Sequence, residues 1–535
     1  MFATYTVLFV GYSHNDPVMH YLARGLPPTN STSRFALTSA ENLERWNFLG
    51  VTPIRYPLTD EPNQHRMLRG AIAAWVELAK MGALDHEQRI RGIVQSPPPL
   101  DRETADYLDT VLGDVSTAQY FTRYAKTPAW LRWAESQPAF QALFKPEAEP
   151  NDLMHELAQW FATNFVCEYA GEALAVIQRQ GQRLHAVLWD TIALELFRRE
   201  TRPDPQTLAT WVAVLLRSPP RVAYRHNTLN YVLTKCRGPE DDVAALLLFD
   251  YLTKPRLDLK QSFRLRHGDG EQHAQADFEL GFEGDLHFLK ETWASLFRPH
   301  LAIFAERLEH ILGSHLHQAY LLLRAVGSAN NHLDLLSYRR SAIEPHEQDR
   351  YGKGPDVLID AARDVIEWML TNRPERARAI IEAWGSSDIP ILQRLAIHGV
   401  TASQTLSPDE KLAWLQARGW LYTFGLKHEV FRLLQQAYPR ASPSSCQALL
   451  EQVHHGPEGD EVHNLSEETR QYAIYNLLVW LHQIAPGCPF AAAALEAMRQ
   501  AHPDFPPPER PDFHRWVTSG WVEPRSPLGV EELLA

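Results

Sequence analysis

The sequence has 535 residues, of which 45% are hydrophobic and 22% charged, and a formal net charge of -13. This balance is typical of globular protein with room for about three domains, and it excludes a largely disordered chain. An acidic chain with an isoelectric point near 6.0 also lacks the basic character of a sequence-independent nucleic-acid binder. The four cysteines show no Cys-x-x-Cys spacing, which indicates free thiols in a reducing cytoplasm. No apolar run is long enough to span a bilayer, so no membrane partner is expected.

The N-terminal stretch predicts a buried strand followed by a turn and a helix. Residues 7–10 are an unbroken apolar run, which is typical of a strand in a parallel sheet. Gly11 then permits a sharp turn or a close approach to a ligand. Asn15 or Asp16 before Pro17 indicates the N-terminal cap of a helix. Open α/β sheets hold nucleotides at such strand ends, through polar groups and backbone N–H donors.

Two further strands and a helix follow in the prediction. Residues 33–37 form the second strand, and residues 38–41 have the hydroxyl and carboxylate spacing of a capping box. The helix that starts there ends at Gly50. Residues 51–57 form the third strand, in which Pro53 removes a hydrogen-bond donor and therefore requires an edge position.

These residues carry a resemblance to a known family. Gly11-Tyr12-Ser13 after an apolar strand, followed by Asn15-Asp16-Pro17, resembles the last third of a bacterial sirtuin-like NAD-binding domain. In anti-phage proteins of that type the domain is joined to a large helical region of unknown function. The resemblance implies NAD as the ligand, which is a substrate in the parent family. It places four residues near the adenine-side ribose, namely Gly11, Ser13, Asn15 and Asp16.

The resemblance also implies which parts of the family's site this chain lacks. In the family, a glycine-rich turn that cradles the phosphates and a catalytic asparagine and histidine precede the Gly-Tyr-Ser strand. We therefore expect residues 1–60 to be the C-terminal remnant of such a domain in a truncated frame, with no catalytic residue. The alternative is a plain strand, turn and helix in which the serine and asparagine merely act as caps.

From residue 61 onward the sequence predicts helix after helix. Apolar residues recur at three- and four-residue spacing between Met67 and Ala79, which predicts an amphipathic helix that ends at Gly82. Later helix pairs resemble each other and predict stacking into a right-handed solenoid. The expected fold is mainly α, an α-solenoid-like array after an incomplete Rossmann-like remnant of about three parallel strands. The sequence predicts four segments, with a domain boundary at the prolines at 97–99. They are 1–60 (the remnant), 61–95 (a connecting helix and linker), 96–330 (helical, with a β-hairpin near 262–285) and 331–535 (a truncated helical-pair solenoid).

Two polar clusters outside the strand motif are weaker candidates for chemistry. His267, His273 and His287 lie among acidic residues around a Gly-Asp-Gly turn, but they lack the spacing of metal ligands. A solvated loop is the preferred interpretation, and no metal is expected. His346 near Asp349 could act as an acid–base group, but a single histidine without a nucleophile favours an interhelical loop.

Two functions remain open from the sequence. The first is a fragment of a bacterial anti-phage protein whose parent, by resemblance, cleaves NAD. This chain would then supply the adenine-ribose side of the site and a helical sensor or scaffold. The second is a non-catalytic scaffold for protein interactions, capped by the α/β segment. A protein, or a further copy of the chain bound through the helical region, is the expected partner. The sequence contains no phosphate loop, Gly-x-Ser-x-Gly elbow or His-Glu-x-x-His motif, so no other NTPase or hydrolase chemistry is indicated.

Overall fold

The computed structural model is mainly helical, with a three-stranded parallel sheet near the N-terminus, which confirms the predicted fold class. Its backbone divides into two compact units, Met1–Ala139 and Phe140–Ala535. The structure describes most of the chain, namely residues 6–12, 16–18, 21, 34–39, 43–60, 64–198, 203–217, 219, 226–261, 276–331, 334–349, 355–457 and 466–513.

The sheet of the first unit consists of β1 (Val7–Phe9), β2 (Arg34–Ser39) and β3 (Thr52–Tyr56), all parallel and in the order β1-β2-β3. On the outer strand β3, Pro53 pairs with Ala36, which confirms the edge position predicted from its missing N–H donor. A small core is packed against the sheet. Its buried apolar residues are Phe9, Ala36, Trp46, Leu49 and Val51.

Helix α1 (Leu43–Phe48) connects β2 to β3 and is followed by Gly50, whose φ is +68°. The predicted helix end is therefore confirmed. The predicted capping box is wrong at its first residue, because Thr38 is still part of β2. Its hydroxyl instead accepts a hydrogen bond of 3.1 Å from the indole of Trp46. Residues 40–42 lie outside the described residues.

The helices after β3 are α2 (Arg66–Lys80), α3 (Ala83–Ile93), α4 (Arg102–Val111), α5 (Val115–Tyr124), α6 (Pro128–Ala134) and α7 (Pro138–Gln141). Helix α2 forms where the apolar spacing predicts it. Helices on either side of the prolines at 97–99 contact each other. Glu87 of α3 accepts hydrogen bonds from Arg123 (2.8 Å) and Tyr124 (2.7 Å) of α5. The prolines at the predicted boundary therefore lie inside one compact unit.

Helices also form most of the second unit. In chain order they are α8 (Asp152–Phe165), α9 (Ala170–Arg179), α10 (Ala186–Arg198), α11 (Pro205–Arg217), α12 (His226–Thr234), α13 (Asp242–Leu252), α14 (Leu286–Thr292), α15 (Leu301–Ala325), α16 (Leu335–Arg339), α17 (Asp356–Asn372), α18 (Pro374–Gly385), α19 (Pro390–Ala402), α20 (Pro408–Gln416), α21 (Lys427–Ala437), α22 (Pro443–His455), α23 (Glu467–Ile484) and α24 (Pro489–Ala501).

Along much of this series each helix packs on the helix two positions further along the chain. Helix α8 contacts α10 and α10 contacts α12, and a second run of such contacts joins α13, α15, α17, α19, α21 and α23. This packing is typical of a helical solenoid, in which stacked neighbours bury a face that no single helix pair could cover. None of the helices in the described part of the chain has both the length and the hydropathy of a membrane-spanning segment.

A β-hairpin interrupts the helices of the second unit. Strand β4 (Pro255–Gln261) pairs antiparallel with β5 (Ala276–Phe282), with Leu257 opposite Leu280. The second strand lies within the region predicted for a hairpin, 262–285. The first strand lies before residue 262, and residues 262–275, with the Gly-Asp-Gly turn, are outside the described residues. The hairpin therefore begins closer to α13 than the sequence pattern indicates.

Candidate functional site

The carboxyl ends of the three parallel strands lie at one edge of the sheet, the edge at which open α/β sheets bind nucleotides. Gly11 lies at this edge, just beyond β1, and has a φ of +78°, which favours glycine. No heavy atom of the described residues lies within 4 Å of the position that a Cβ would take there. None of the described residues therefore prevents a ligand from approaching the backbone at Gly11.

Asp16 caps the helix that follows this turn. Its Oδ1 accepts a hydrogen bond of 2.9 Å from the backbone N–H of Val18, and Pro17 and Val18 are helical. This confirms the predicted cap followed by proline at the first helical position. The other two predicted site residues, Ser13 and Asn15, lie outside the described residues, so the structure places two of the four.

Sequence reasoning does not predict a tyrosine–histidine pair at the end of β3. The hydroxyl of Tyr56, the last residue of the strand, lies 2.9 Å from Nδ1 of His65. Burial raises the pKa of Tyr56, so the phenol stays protonated at neutral pH and can donate to the imidazole. The two residues are nine positions apart and belong to no motif, so only the fold brings them together. The pair joins the residue before α2 to the end of β3 at this edge.

The second unit contains a buried ion pair between α19 and α21. The side chains of Arg394 and Glu429 are 3% and 4% exposed, and two hydrogen bonds of 2.7 and 2.8 Å join them. Burial alone would lower the pKa of Arg394 and raise that of Glu429, but the opposite charge reverses both shifts. Arg394 also donates to three backbone carbonyl groups, those of Ser337, Arg340 and Ser341. The pair therefore fixes the chain around α16 against two helices.

His428 is the centre of a second buried cluster. Its side chain is 7% exposed, and its ring nitrogens lie 3.6 Å from Glu344 Oε1 and 3.4 Å from Asp512 Oδ2. Burial alone would lower its pKa, but the two carboxylates raise it to about 9. The ring of Phe513 stacks on the imidazole with centroids 4.3 Å apart. At neutral pH the ring is therefore a buried cation that holds residues 512–513 against α21.

Glu344 completes this cluster. Burial alone would raise its pKa, but His428 and Arg432 lower it to about 2. Arg432 Nε lies 2.9 Å from Glu344 Oε1. With both members charged at neutral pH, the cluster acts as an ion pair and not as a proton-transfer pair.

Asp349 holds the loop before α17 in place. Its carboxylate accepts hydrogen bonds from the backbone N–H groups of Ser341 (2.8 Å) and Ala342 (3.0 Å), and it lies 3.5 Å from Arg340 Nε. Nδ1 of His346 accepts a backbone N–H from two residues further along the chain, at 3.2 Å. These contacts engage both groups in the structure of the loop, in agreement with the interhelical-loop interpretation.

The other polar cluster gives no metal centre within the part of the chain that the structure describes. No group of three or more histidine, cysteine, aspartate or glutamate side chains there could hold a metal ion. Asp285 caps α14 by accepting a hydrogen bond of 2.9 Å from the backbone N–H of His287. His267 and His273 lie outside the described residues.

No protein-family model, no curated protein and no solved structure matches the chain.

Proposed function

We propose that the carboxyl edge of the N-terminal sheet contacts the adenine-side ribose of NAD, as the resemblance to sirtuin-like domains implies. The observation that carries the proposal is Gly11, which has a left-handed backbone directly after a parallel strand and no close neighbour among the described residues. Glycine in this position lets the backbone lie against a nucleotide. The helix start capped by Asp16 supports the proposal, because a strand, a turn and a helix start in this order are the arrangement at which open α/β sheets hold nucleotides.

In this proposal the chain binds NAD but does not cleave it. The matched residues belong to the ribose side of the family's site, and the motif of the catalytic asparagine and histidine is not matched. Cleavage of the nicotinamide–ribose bond, and with it a role in bacterial anti-phage defence, is therefore assigned to a parent protein that carries those groups. The helical unit would sense the infection in the cytoplasm or hold the assembly together.

The test compares two glycines that share the same backbone geometry. Gly11 and Gly50 both have a positive φ and open surroundings among the described residues, but Gly50 precedes β3 and so lies towards the opposite edge of the sheet. NAD binding is measured by isothermal titration calorimetry on the full chain and on Gly11→Leu and Gly50→Leu. We expect Gly11→Leu to weaken binding by about tenfold or more, because its side chain enters the ligand's space, and Gly50→Leu to leave it unchanged.

Equal losses of affinity in the two variants would contradict this assignment, as would the absence of NAD binding at about 1 mM. Both substitutions place a side chain at a positive φ, so both strain the backbone to a similar degree. Thermal unfolding of the two proteins therefore controls for loss of structure.

The helical unit supports a second function, a scaffold for protein interactions with the α/β segment as a structural cap. Its helices pack on their next-but-one neighbours, which creates an extended surface of the kind that repeat proteins use to bind partners. The titration separates the two functions. A scaffold with a purely structural cap gives no NAD-dependent heat and no NAD-dependent shift in melting temperature.

A further inference from the structure

Helix α2 presents an apolar face that the described residues do not cover. Its 15 residues include no buried one, and the exposed fractions of Trp75, Met67 and Val76 are 57%, 46% and 41%. Most of the large apolar side chains exposed in the described part of the chain lie in residues 10–84. An amphipathic helix of a globular protein normally buries such a face, and a contiguous exposed one marks an interaction site.

Four residues of α2 form a row along the middle of this face, and we call them the α2 seam. They are Leu68, Ala71, Trp75 and Leu78. Their spacing of three, four and three residues is the spacing of a helix–helix contact. Ala71 and Trp75 are exposed, Leu68 and Leu78 are half-buried, and the seam contains no charged residue. The charges of Lys80 and Glu77 lie off the seam and approach each other within the helix at 3.6 Å.

We propose that a second copy of this chain covers the α2 seam, through two α2 helices packed antiparallel about a two-fold axis. The seam is self-complementary in that arrangement alone. An axis level with Ala73 brings Leu68 opposite Leu78 of the partner helix, and Trp75 opposite the partner's Ala71. Each large indole then lies over a small side chain, and the layers above and below are leucine on leucine.

The parallel arrangement lacks this complementarity. It would bring Trp75 against Trp75 and Ala71 against Ala71, which gives one overfilled and one underfilled layer. Antiparallel packing also places the positive end of each helix dipole beside the negative end of the other. Because a 15-residue helix is only about 22 Å long, further apolar area must contribute. Strand β3, which α2 contacts, supplies it through Ile54, which is 42% exposed.

The first experiment measures the oligomeric state of the full chain by sedimentation velocity, from about 1 to about 100 µM. We expect a reversible dimer. Trp75→Glu places a charge in the seam and should weaken dimerisation at least about tenfold. Leu321→Glu on α15 is the matched control, because Leu321 is 49% exposed and lies in the other unit, and it should leave the dimer intact.

The second experiment exchanges the large and small residues of the central layer. Ala71→Trp alone should abolish the dimer, because two indoles then occupy each layer, and Trp75→Ala alone should weaken it. The double variant, Ala71→Trp with Trp75→Ala, restores one large and one small residue in each of the two central layers and should restore dimerisation. Circular dichroism controls for folding, which these exposed positions should leave unchanged.

Three results would overturn the proposal. The first is a chain that stays monomeric over the whole concentration range. If that monomer sediments with phosphatidylcholine–phosphatidylserine vesicles, the apolar face of α2 binds lipid and not a second copy. The second is a dimer that is indifferent to Trp75→Glu. The third is a double variant that dimerises no better than Ala71→Trp alone.

Discussion

His428 makes the stability of the helical unit depend on pH. Its pKa is raised from an ordinary 6.5 to about 9, so the folded chain keeps a proton that the unfolded chain has lost between these values. The stabilisation that the charged ring contributes is complete below pH 6.5 and is lost as the pH rises through about 9. Glu344 behaves in the opposite sense. Its pKa falls from 4.5 to about 2, so its contribution is complete above pH 4.5 and is lost as the pH falls to about 2.

We expect His428→Gln to remove the first of these effects. The free energy of unfolding should fall on the order of 3 kcal/mol at about pH 6, and the deficit should shrink as the pH rises towards about 9. Urea unfolding of the variant and the unchanged protein across this range measures the difference. Burial lowers the pKa of the neighbouring Lys427 to about 8, and its effect cancels in that comparison because both proteins contain it.

Phe513→Leu is the matched control for this prediction. It removes the ring that stacks on the imidazole but leaves both carboxylates next to His428, so stability should fall while its decline between about pH 6 and about pH 9 remains. Stability curves of His428→Gln and the unchanged protein that run parallel from about pH 6 to about pH 9 would show that the ring carries no extra proton in the folded chain.

Single residues differ in how far the sequence predicts their positions. The edge location of β3 follows from Pro53 alone, because a missing N–H donor is a property of the covalent structure. Arg394 and Glu429 are 35 positions apart, and a charged residue in an amphipathic helix ordinarily faces solvent. Only the packing of α19 on α21 shows that both are buried. Long-range pairing of this kind leaves no local pattern in the sequence.

At the level of elements, apolar spacing predicts helices better than polar residues predict their caps. Helix α2 forms where its apolar residues recur, because apolar residues three and four positions apart share one face only in an α-helix. The capping box at the start of α1 fails, because Thr38 is paired with Arg55 in the sheet and its hydroxyl binds the indole of Trp46. Strand pairing and tertiary packing outcompete a local hydroxyl preference.

The Arg394–Glu429 pair should be among the costliest contacts to break in the second unit. Arg394→Met leaves the Glu429 carboxylate buried without its cation, so we expect the free energy of unfolding to fall by about 3–5 kcal/mol. Replacing both residues by methionine should recover only part of this loss. The carbonyl groups that Arg394 binds and the N–H of Ile343, which binds Glu429, would still lack partners.

An exposed ion pair provides the control for that measurement. Arg373 lies 3.3 Å from Glu306, and the two side chains are 61% and 51% exposed. Arg373→Met should therefore change stability by less than about 1 kcal/mol. Chemical unfolding of both variants at neutral pH compares them directly. If Arg394→Met costs no more than Arg373→Met, the buried pair is not what fixes the chain around α16.

At the level of the whole molecule, the second unit is held together mainly by contacts between helices close in the chain. Helix α8 contacts α10, and helix α24 contacts α22 and α23. In such an array the free energy of unfolding is roughly the sum of the stability of each helix pair and of its contacts with adjacent pairs. A substitution that destabilises one helix pair therefore need not unfold the entire array. The sequence predicts repeated helix pairs. It does not predict how strongly adjacent pairs stabilise each other, because that depends on side-chain packing between them.

Two matched substitutions at opposite ends of the array measure that coupling. Leu157 of α8 and Leu495 of α24 are buried, and changing either to alanine should cost about 2–5 kcal/mol locally. We expect Leu495→Ala to speed amide hydrogen exchange in α22, α23 and α24 while α8 and α10 keep their protection. Leu157→Ala should do the reverse. Hydrogen-exchange mass spectrometry measures the exchange rate at each end separately. If either variant raised the exchange rate equally at both ends, the helices would open as one cooperative block, which nearest-neighbour stacking does not produce.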